Sequence, residues 1–113
     1  MADEQGSASI VAAMMTAVLI AVTVGVACLG AAVVARHRAQ AAADLASLAA
    51  ALWLVEGRTH SCAAAEAVAD AMRARTVACA VEGTDVTVAV TVPVRLGRWG
   101  TGQAEASARA GPT

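Results

Sequence analysis

The side chains that could do chemistry in this chain are two histidines, three cysteines and a thin set of charged residues. His60 and Cys62 form an H-x-C pair, but no second pair stands at metal-ligand spacing, so we expect no zinc site. The sequence also contains no nucleophile elbow, HExxH motif or glycine-rich phosphate loop. We therefore expect a protein that is not an enzyme and that binds no cofactor.

Two of the cysteines stand where they could form a disulfide. Cys62 falls at the start of a predicted helix, and Cys79 lies on one face of a predicted strand. If that strand face packs on the helix, the two sulfur atoms come within bonding range, and the bridge stabilises the domain by about 3 kcal/mol. The alternative is two separate buried thiols. Cys28 lies in an uncharged segment and is expected to be an inert apolar residue.

The composition excludes several classes of function. Of the 113 residues, 58% are hydrophobic, 15% are charged and 2% are aromatic, and the net charge is −1. A chain with balanced charge and no basic cluster is not expected to bind nucleic acid. Two tryptophans are too few for a base-stacking platform or an aromatic cage. Such an apolar composition is typical of a membrane or filament protein.

An uncharged segment dominates the N-terminal third of the chain. Residues 1–6 form a polar leader, and residues 7–35 carry no charged side chain. As a helix this segment would be about 44 Å long, which exceeds the roughly 30 Å hydrocarbon core of a bilayer. We expect a transmembrane helix over residues 7–35. Within it Ala17, Ala21 and Gly25 recur every four residues and form a stripe on which helices can pack closely.

The helix is predicted to continue beyond the span and to become amphipathic, ending near Glu56 before Gly57. Its apolar stripe is predicted to cover the valine face of a sheet. The stripe consists of Leu45, Leu48, Leu52 and Val55. A different face carries Arg36, Gln40 and Asp44, spaced four residues apart.

Residues 36–113 are predicted to form an α+β domain around this amphipathic half. Ser61 is expected to cap a second helix over residues 62–75. A short strand follows at residues 77–81, and a weaker one is expected over residues 103–110. Between them valines alternate with threonine and alanine, and Pro93 marks the end or an edge position of this strand. The result is a small antiparallel β-meander.

The segment RHRAQAAADLASLA (residues 36–49), after Gly6, Ser7 and an uncharged helix, resembles the Tad-type pilus-assembly proteins. More narrowly, it is similar to the actinobacterial TadE-like family, whose genes lie near those of a helicase and of secretion proteins. The residues that carry this motif are Arg36, Arg38, Gln40, Asp44, Leu45 and Leu48. The cysteine pair and the valine-rich strand also fit the family, so the resemblance implies a pilin-like α+β fold.

This resemblance implies a non-enzymatic, pseudopilin-like minor subunit or assembly factor of a Flp (type IVb) pilus or a related secretion apparatus. The implied partners are membrane lipid, other pilin-like subunits and the assembly platform, in homo- or hetero-oligomers. A prepilin peptidase would trim the chain between Gly6 and Ser7, although Val11 stands where pilins usually carry glutamate.

Two signals disagree about orientation. Arg36 and Arg38 follow the apolar segment and Asp3 and Glu4 precede it, so the positive-inside rule favours a cytoplasmic C-terminal domain. A disulfide favours an oxidising compartment, and the resemblance places residues 36–113 outside the cytoplasm. Two alternatives remain open. One is a secreted, disulfide-stapled binding module released from its membrane segment, and the other is a small membrane regulator of a transporter.

Overall fold

The computed structural model describes residues 2–112, apart from the side chains of Ala2, Asp3 and Trp99. The α+β prediction is confirmed, because a long helix, a short helix and a three-stranded antiparallel sheet follow one another. The helices are α1 (Ala2–Leu52) and α2 (Arg58–Ala71), and a 3-10 turn (Leu54–Glu56) lies between them. The strands are β1 (Arg75–Glu82), β2 (Asp85–Arg95) and β3 (Thr101–Ala110), with a second 3-10 turn (Gly97–Trp99) before β3.

The chain divides into two compact units, one up to Gly30 and one from Ala31 onward. The first unit is a helical segment whose large apolar side chains are exposed. The predicted leader is helical from Ala2 to Gly6, and Met1 lies outside the described residues. The hydroxyls of Thr16 and Thr23 donate to carbonyl oxygens one turn earlier, at 2.9 and 2.8 Å. These two threonine side chains are thus satisfied locally, as an apolar environment requires.

The sheet of the second unit is an antiparallel meander in the order β1-β2-β3. The central strand β2 alternates as predicted, and its buried valines are Val86, Val88, Val90, Val92 and Val94. Gly83 supplies the left-handed backbone (φ +61°) of the turn from β1 to β2. Pairing of β2 with β1 ends at Thr91, so at Pro93 only β3 is a neighbour, and a residue without an N–H is tolerated there.

The face of α1 that packs on this sheet is made of alanine, not leucine. The side chains with no exposed surface are Ala39, Ala42, Ala43, Ala46 and Ala50. Leu45, Leu48 and Leu52 are 49%, 56% and 78% exposed, and Val55 is 90% exposed. The prediction that the leucine stripe covers the valine face is therefore wrong. The valines of β2 belong to the same core cluster as these alanines and fill most of the space between the layers, so small side chains suffice on the helix.

The prediction of α2 over residues 62–75 is wrong at both ends, because the helix spans Arg58–Ala71, and no side chain caps its N-terminus. Ser61 is buried inside α2, and its Oγ donates to the carbonyl oxygen of Ala50 at 2.7 Å. The physical reason is that α1 ends at Leu52, before the predicted Glu56, which leaves the last carbonyls of α1 without helical partners. Ser61 therefore satisfies the end of the first helix.

Candidate functional site

Gln40 connects α1 to the edge strand β3. Its Nε2 donates to Oδ1 of Asp44 at 3.0 Å and to the carbonyl oxygen of Ser107 at 3.4 Å. Asp44 in turn accepts a hydrogen bond from Ser47 Oγ at its backbone oxygen, at 2.9 Å. Of the predicted motif, Gln40 thus contacts the edge strand of the sheet, and Asp44 contacts Gln40 within the helix.

The other four motif residues make no such contacts. Arg36, Arg38, Leu45 and Leu48 are exposed on α1. Neither arginine donates a hydrogen bond or forms an ion pair with any residue in the range 2–112 that the structure describes. The motif is therefore divided between residues that position the helix and residues that remain available for contact with something outside the chain.

A disulfide between Cys62 and Cys79 ties α2 to β1. The two Cα atoms are 6.0 Å apart, and the bridge closes a sequence separation of 17. Nη2 of Arg58 donates to the carbonyl oxygen of Val81 at 3.1 Å, which connects the same two elements. Since Cys62 is bonded to Cys79, its sulfur is not available to a metal, and the H-x-C pair carries no site. Cys28 is a free thiol in α1.

An ion pair joins the start of β2 to the end of β3. Arg109 donates to Asp85, and this hydrogen bond, followed by the negative charge of Asp85, raises the pKa of Arg109 above its ordinary value. The arginine is well exposed, so the ion pair contributes little to stability. Gly111 comes directly after the last residue of β3. A Cβ at this position would collide with the Asp85 carboxylate and lie 3.1 Å from the Asp85 Cα.

No arrangement typical of catalysis is found in the described part of the chain. Residues 2–112 contain no group of three or more histidine, cysteine, aspartate or glutamate side chains that could hold a metal ion. His60 instead borders an open apolar groove between the end of α1 and α2. The groove is also lined by Ala49, Trp53, Ala63, Ala64, Ala67 and Val68. The sequence alone gives no sign of this groove, because its alanines lie on two different helices.

Two predicted features lie in the first unit. Gly6 and Ser7, the predicted processing position, are exposed in α1, and the small-residue stripe of Ala17, Ala21 and Gly25 is exposed as well. A Cβ built on Gly25 meets no atom within 4 Å. Both features are accessible in the isolated chain, and their roles stay predictions.

The helix α1 is long and apolar enough to cross a membrane. Its most apolar window has a mean hydropathy of 2.6, and none of that window is buried. The large side chains between Ile10 and Val34 are from 45% to 69% exposed. A core helix of a water-soluble domain would bury these side chains, so this segment needs an apolar surrounding that the described residues do not supply.

Comparison with known proteins identifies the same family that the motif at residues 36–49 resembles. Residues 6–52 match the TadE/G-like Flp pilus-assembly family, which confirms the predicted resemblance for this part of the chain. A protein of Mycobacterium tuberculosis named apoptosis inhibitor Rv3654c is 60% identical over 53 residues. That alignment covers 47% of this chain and 63% of the mycobacterial protein, so the match spans less than two thirds of its length. No solved structure matches this chain.

Proposed function

We propose that this chain is a non-enzymatic, single-pass membrane subunit of a Flp-type (Tad) pilus or a related secretion apparatus, in the role of a pseudopilin-like minor component or assembly factor. The match of residues 6–52 to the pilus-assembly family supports this role. The observation that carries the proposal is the exposed apolar surface of α1 between Ile10 and Val34.

The exposed apolar surface of α1 is stable in two environments, a lipid bilayer and a bundle of similar helices, and the proposed function uses both. Before assembly, the apolar segment lies in lipid, because its exposed side chains are costly to hydrate. On assembly, it packs against equivalent helices, with the small stripe at Ala17, Ala21 and Gly25 as one close contact. Transfer from bilayer to helix bundle costs little, since both environments are apolar. The function is then a matter of assembly geometry and needs no catalytic group.

We propose that the C-terminal domain lies outside the cytoplasm. Its support is the disulfide between Cys62 and Cys79, since such bridges persist in oxidising compartments and are rare in the cytosol. The positive-inside rule favours the opposite orientation, but it rests on two arginines. We also retain the proposal that a prepilin peptidase removes residues 1–6, which leaves Ser7 as the new N-terminus.

Fractionation and mass measurement of the protein from its native host test this function. We expect the protein in membranes washed with alkaline carbonate, and cross-linked to other pilin-like subunits when a photoreactive residue replaces Leu48. After denaturation and alkylation without reductant, Cys28 is the cysteine expected to react, and the intact mass is expected to lack residues 1–6.

Each result has a contrary outcome. Recovery of the protein in the soluble cytoplasmic fraction would overturn the membrane role, and three alkylated cysteines would place the domain in the cytoplasm, as the transporter-regulator alternative requires. A mature chain beginning after about residue 30 would favour the secreted binding module. The matched control for cross-linking is the same Leu48 variant without irradiation, which should give no adduct with another subunit.

A further inference from the structure

Three consecutive basic residues follow the uncharged segment of α1. They are Arg36, His37 and Arg38, and all three are exposed. Successive residues of an α-helix point about 100° apart around the axis. These three side chains therefore spread over about 200° of the helix circumference and do not gather in one narrow stripe. We call residues 36–38 the basic collar.

The arginines of the basic collar differ from other arginines of the domain in their hydrogen bonding. Arg58 and Arg109 are both engaged, with the Val81 carbonyl oxygen and the Asp85 carboxylate. For Arg36 and Arg38, no hydrogen bond or ion pair is found within residues 2–112. Two guanidinium groups, each with five N–H donors, thus have their donors directed to the surroundings of the helix.

The wide angular spread of these three side chains indicates which kind of partner the collar fits. A protein that docks on one side of α1 can reach one or two of the three side chains. Headgroups reach every side of the helix that the domain leaves uncovered, so they meet all three, which lie away from the buried Ala35 and Ala39. The collar directly follows residues 7–35, which carry no charge, and this places it at the level of the lipid headgroups when the segment spans the bilayer.

The geometry points to the basic collar as a binding site for anionic phospholipid headgroups at the membrane surface where α1 emerges. Arg36 and Arg38 bind headgroup phosphates, and His37 adds a ring N–H donor between them. Charge attraction selects anionic over zwitterionic lipid. Binding of the collar to headgroups also sets the depth of the helix in the bilayer. This inference rests on the membrane-spanning part of the proposed function.

Selectivity for spin-labelled lipids tests the inference on the full chain reconstituted in phosphatidylcholine vesicles. Electron paramagnetic resonance measures how strongly labelled phosphatidylglycerol associates with the protein relative to labelled phosphatidylcholine. We expect a preference for phosphatidylglycerol of up to about fivefold per arginine at low salt, which corresponds to about 1 kcal/mol for each basic residue near the surface. The preference should decrease in 0.5 M sodium chloride.

The variant Arg36→Gln/Arg38→Gln should lose most of this preference. The matched control is Arg95→Gln/Arg98→Gln, which removes the same charge at exposed positions at the end of β2 and in the following 3-10 turn, and which should retain the preference. Equal preference in the two double variants would overturn the inference. So would loss of the preference in sodium phosphate but not in sodium chloride of equal ionic strength, since that result identifies a site for free phosphate.

Failure of the inference is distinguishable from failure of the proposed function. If the chain does not stay in vesicles after an alkaline carbonate wash, the membrane-spanning role itself is wrong. If it stays and the labelled lipids associate equally, the chain spans the bilayer without a lipid site, and the collar inference alone is overturned.

Discussion

The hydroxyl of Ser61 in α2 donates to the carbonyl oxygen of Ala50 in α1 across 2.7 Å, and the side chain of Ser61 is completely buried. Ala50 is one of the last residues of its helix, where carbonyl oxygens have no N–H partner one turn ahead. A side chain from the next helix thus supplies the donor that the first helix lacks. The contact fixes α2 against the end of α1.

Substitution of Ser61 by alanine should destabilise the protein by about 1–3 kcal/mol, because it leaves a buried carbonyl oxygen without a donor. The measurement is denaturant unfolding of the full chain in detergent micelles, followed by tryptophan fluorescence. The control is Thr59→Ala, an exposed residue of the same helix, which should change the free energy of unfolding by less than about 0.5 kcal/mol. Equal effects of the two substitutions would show that the Ser61 hydrogen bond does not contribute.

The alanine face of α1 and its leucine stripe should respond in opposite ways to a change of size. Ala46→Leu adds volume to a fully buried position and should cost about 1–3 kcal/mol or more. Leu48→Ala removes volume at an exposed position and should stay within about 0.5 kcal/mol of the parent protein. The same unfolding measurement compares the free energies of unfolding of the two variants. A larger cost for Leu48→Ala would mean that the stripe, and not the alanine face, packs on the sheet.

Loss of the disulfide should destabilise the C-terminal unit. The variant Cys62→Ser/Cys79→Ser frees a loop with a sequence separation of 17, for which chain entropy predicts a cost of about 3 kcal/mol. A reductant should lower the stability of the parent protein by a similar amount and leave the double variant unchanged. Cys28→Ser is the control for loss of a thiol, because Cys28 is not bridged. An unchanged denaturation midpoint in the double variant would contradict this expectation.

Replacement of Arg73 by glycine should stabilise the protein. Arg73 follows the end of α2 with φ +57°, and no other non-glycine residue among those described has a positive φ. This left-handed conformation costs an L-residue about 1–2 kcal/mol, and glycine adopts it without that cost. Arg75→Gly is the control, since Arg75 begins β1 in an extended conformation and glycine should weaken the strand. If both substitutions destabilise, strain at Arg73 is not significant.

The sequence was sufficient to predict the elements whose pattern is local. The alternating valines from Val86 to Val94 predicted the central strand, and the uncharged segment predicted the long helix. The motif at Arg36–Ala49 predicted the family that residues 6–52 match. Each of these signals is carried by consecutive residues and needs no knowledge of what packs on them.

The wrong predictions for the buried face of α1 and for the role of Ser61 concern properties that depend on what packs against a helix. Hydrophobicity favours Leu48 over Ala46 as a buried residue, but the volume left by the valines of β2 decides which one fits. Ser61 fits the pattern of a helix N-cap, and its actual acceptor, the carbonyl oxygen of Ala50, becomes available because α1 ends early. The sequence alone specifies neither the spacing between layers nor the residue at which a long alanine-rich helix stops.

The contact between α1 and the sheet sets an upper limit on side-chain volume and makes no demand on polarity. Ser47 illustrates this, because it lies among the buried alanines at 2% exposure and its hydroxyl is satisfied by its own helix. Glycine and serine are therefore the substitutions that this face of α1 accepts, and sequence variation at these positions is confined to very small residues. The exposed leucines face no such limit from the domain itself. Any constraint on Leu45, Leu48 and Leu52 across diverging sequences must come from what the helix meets outside its own chain.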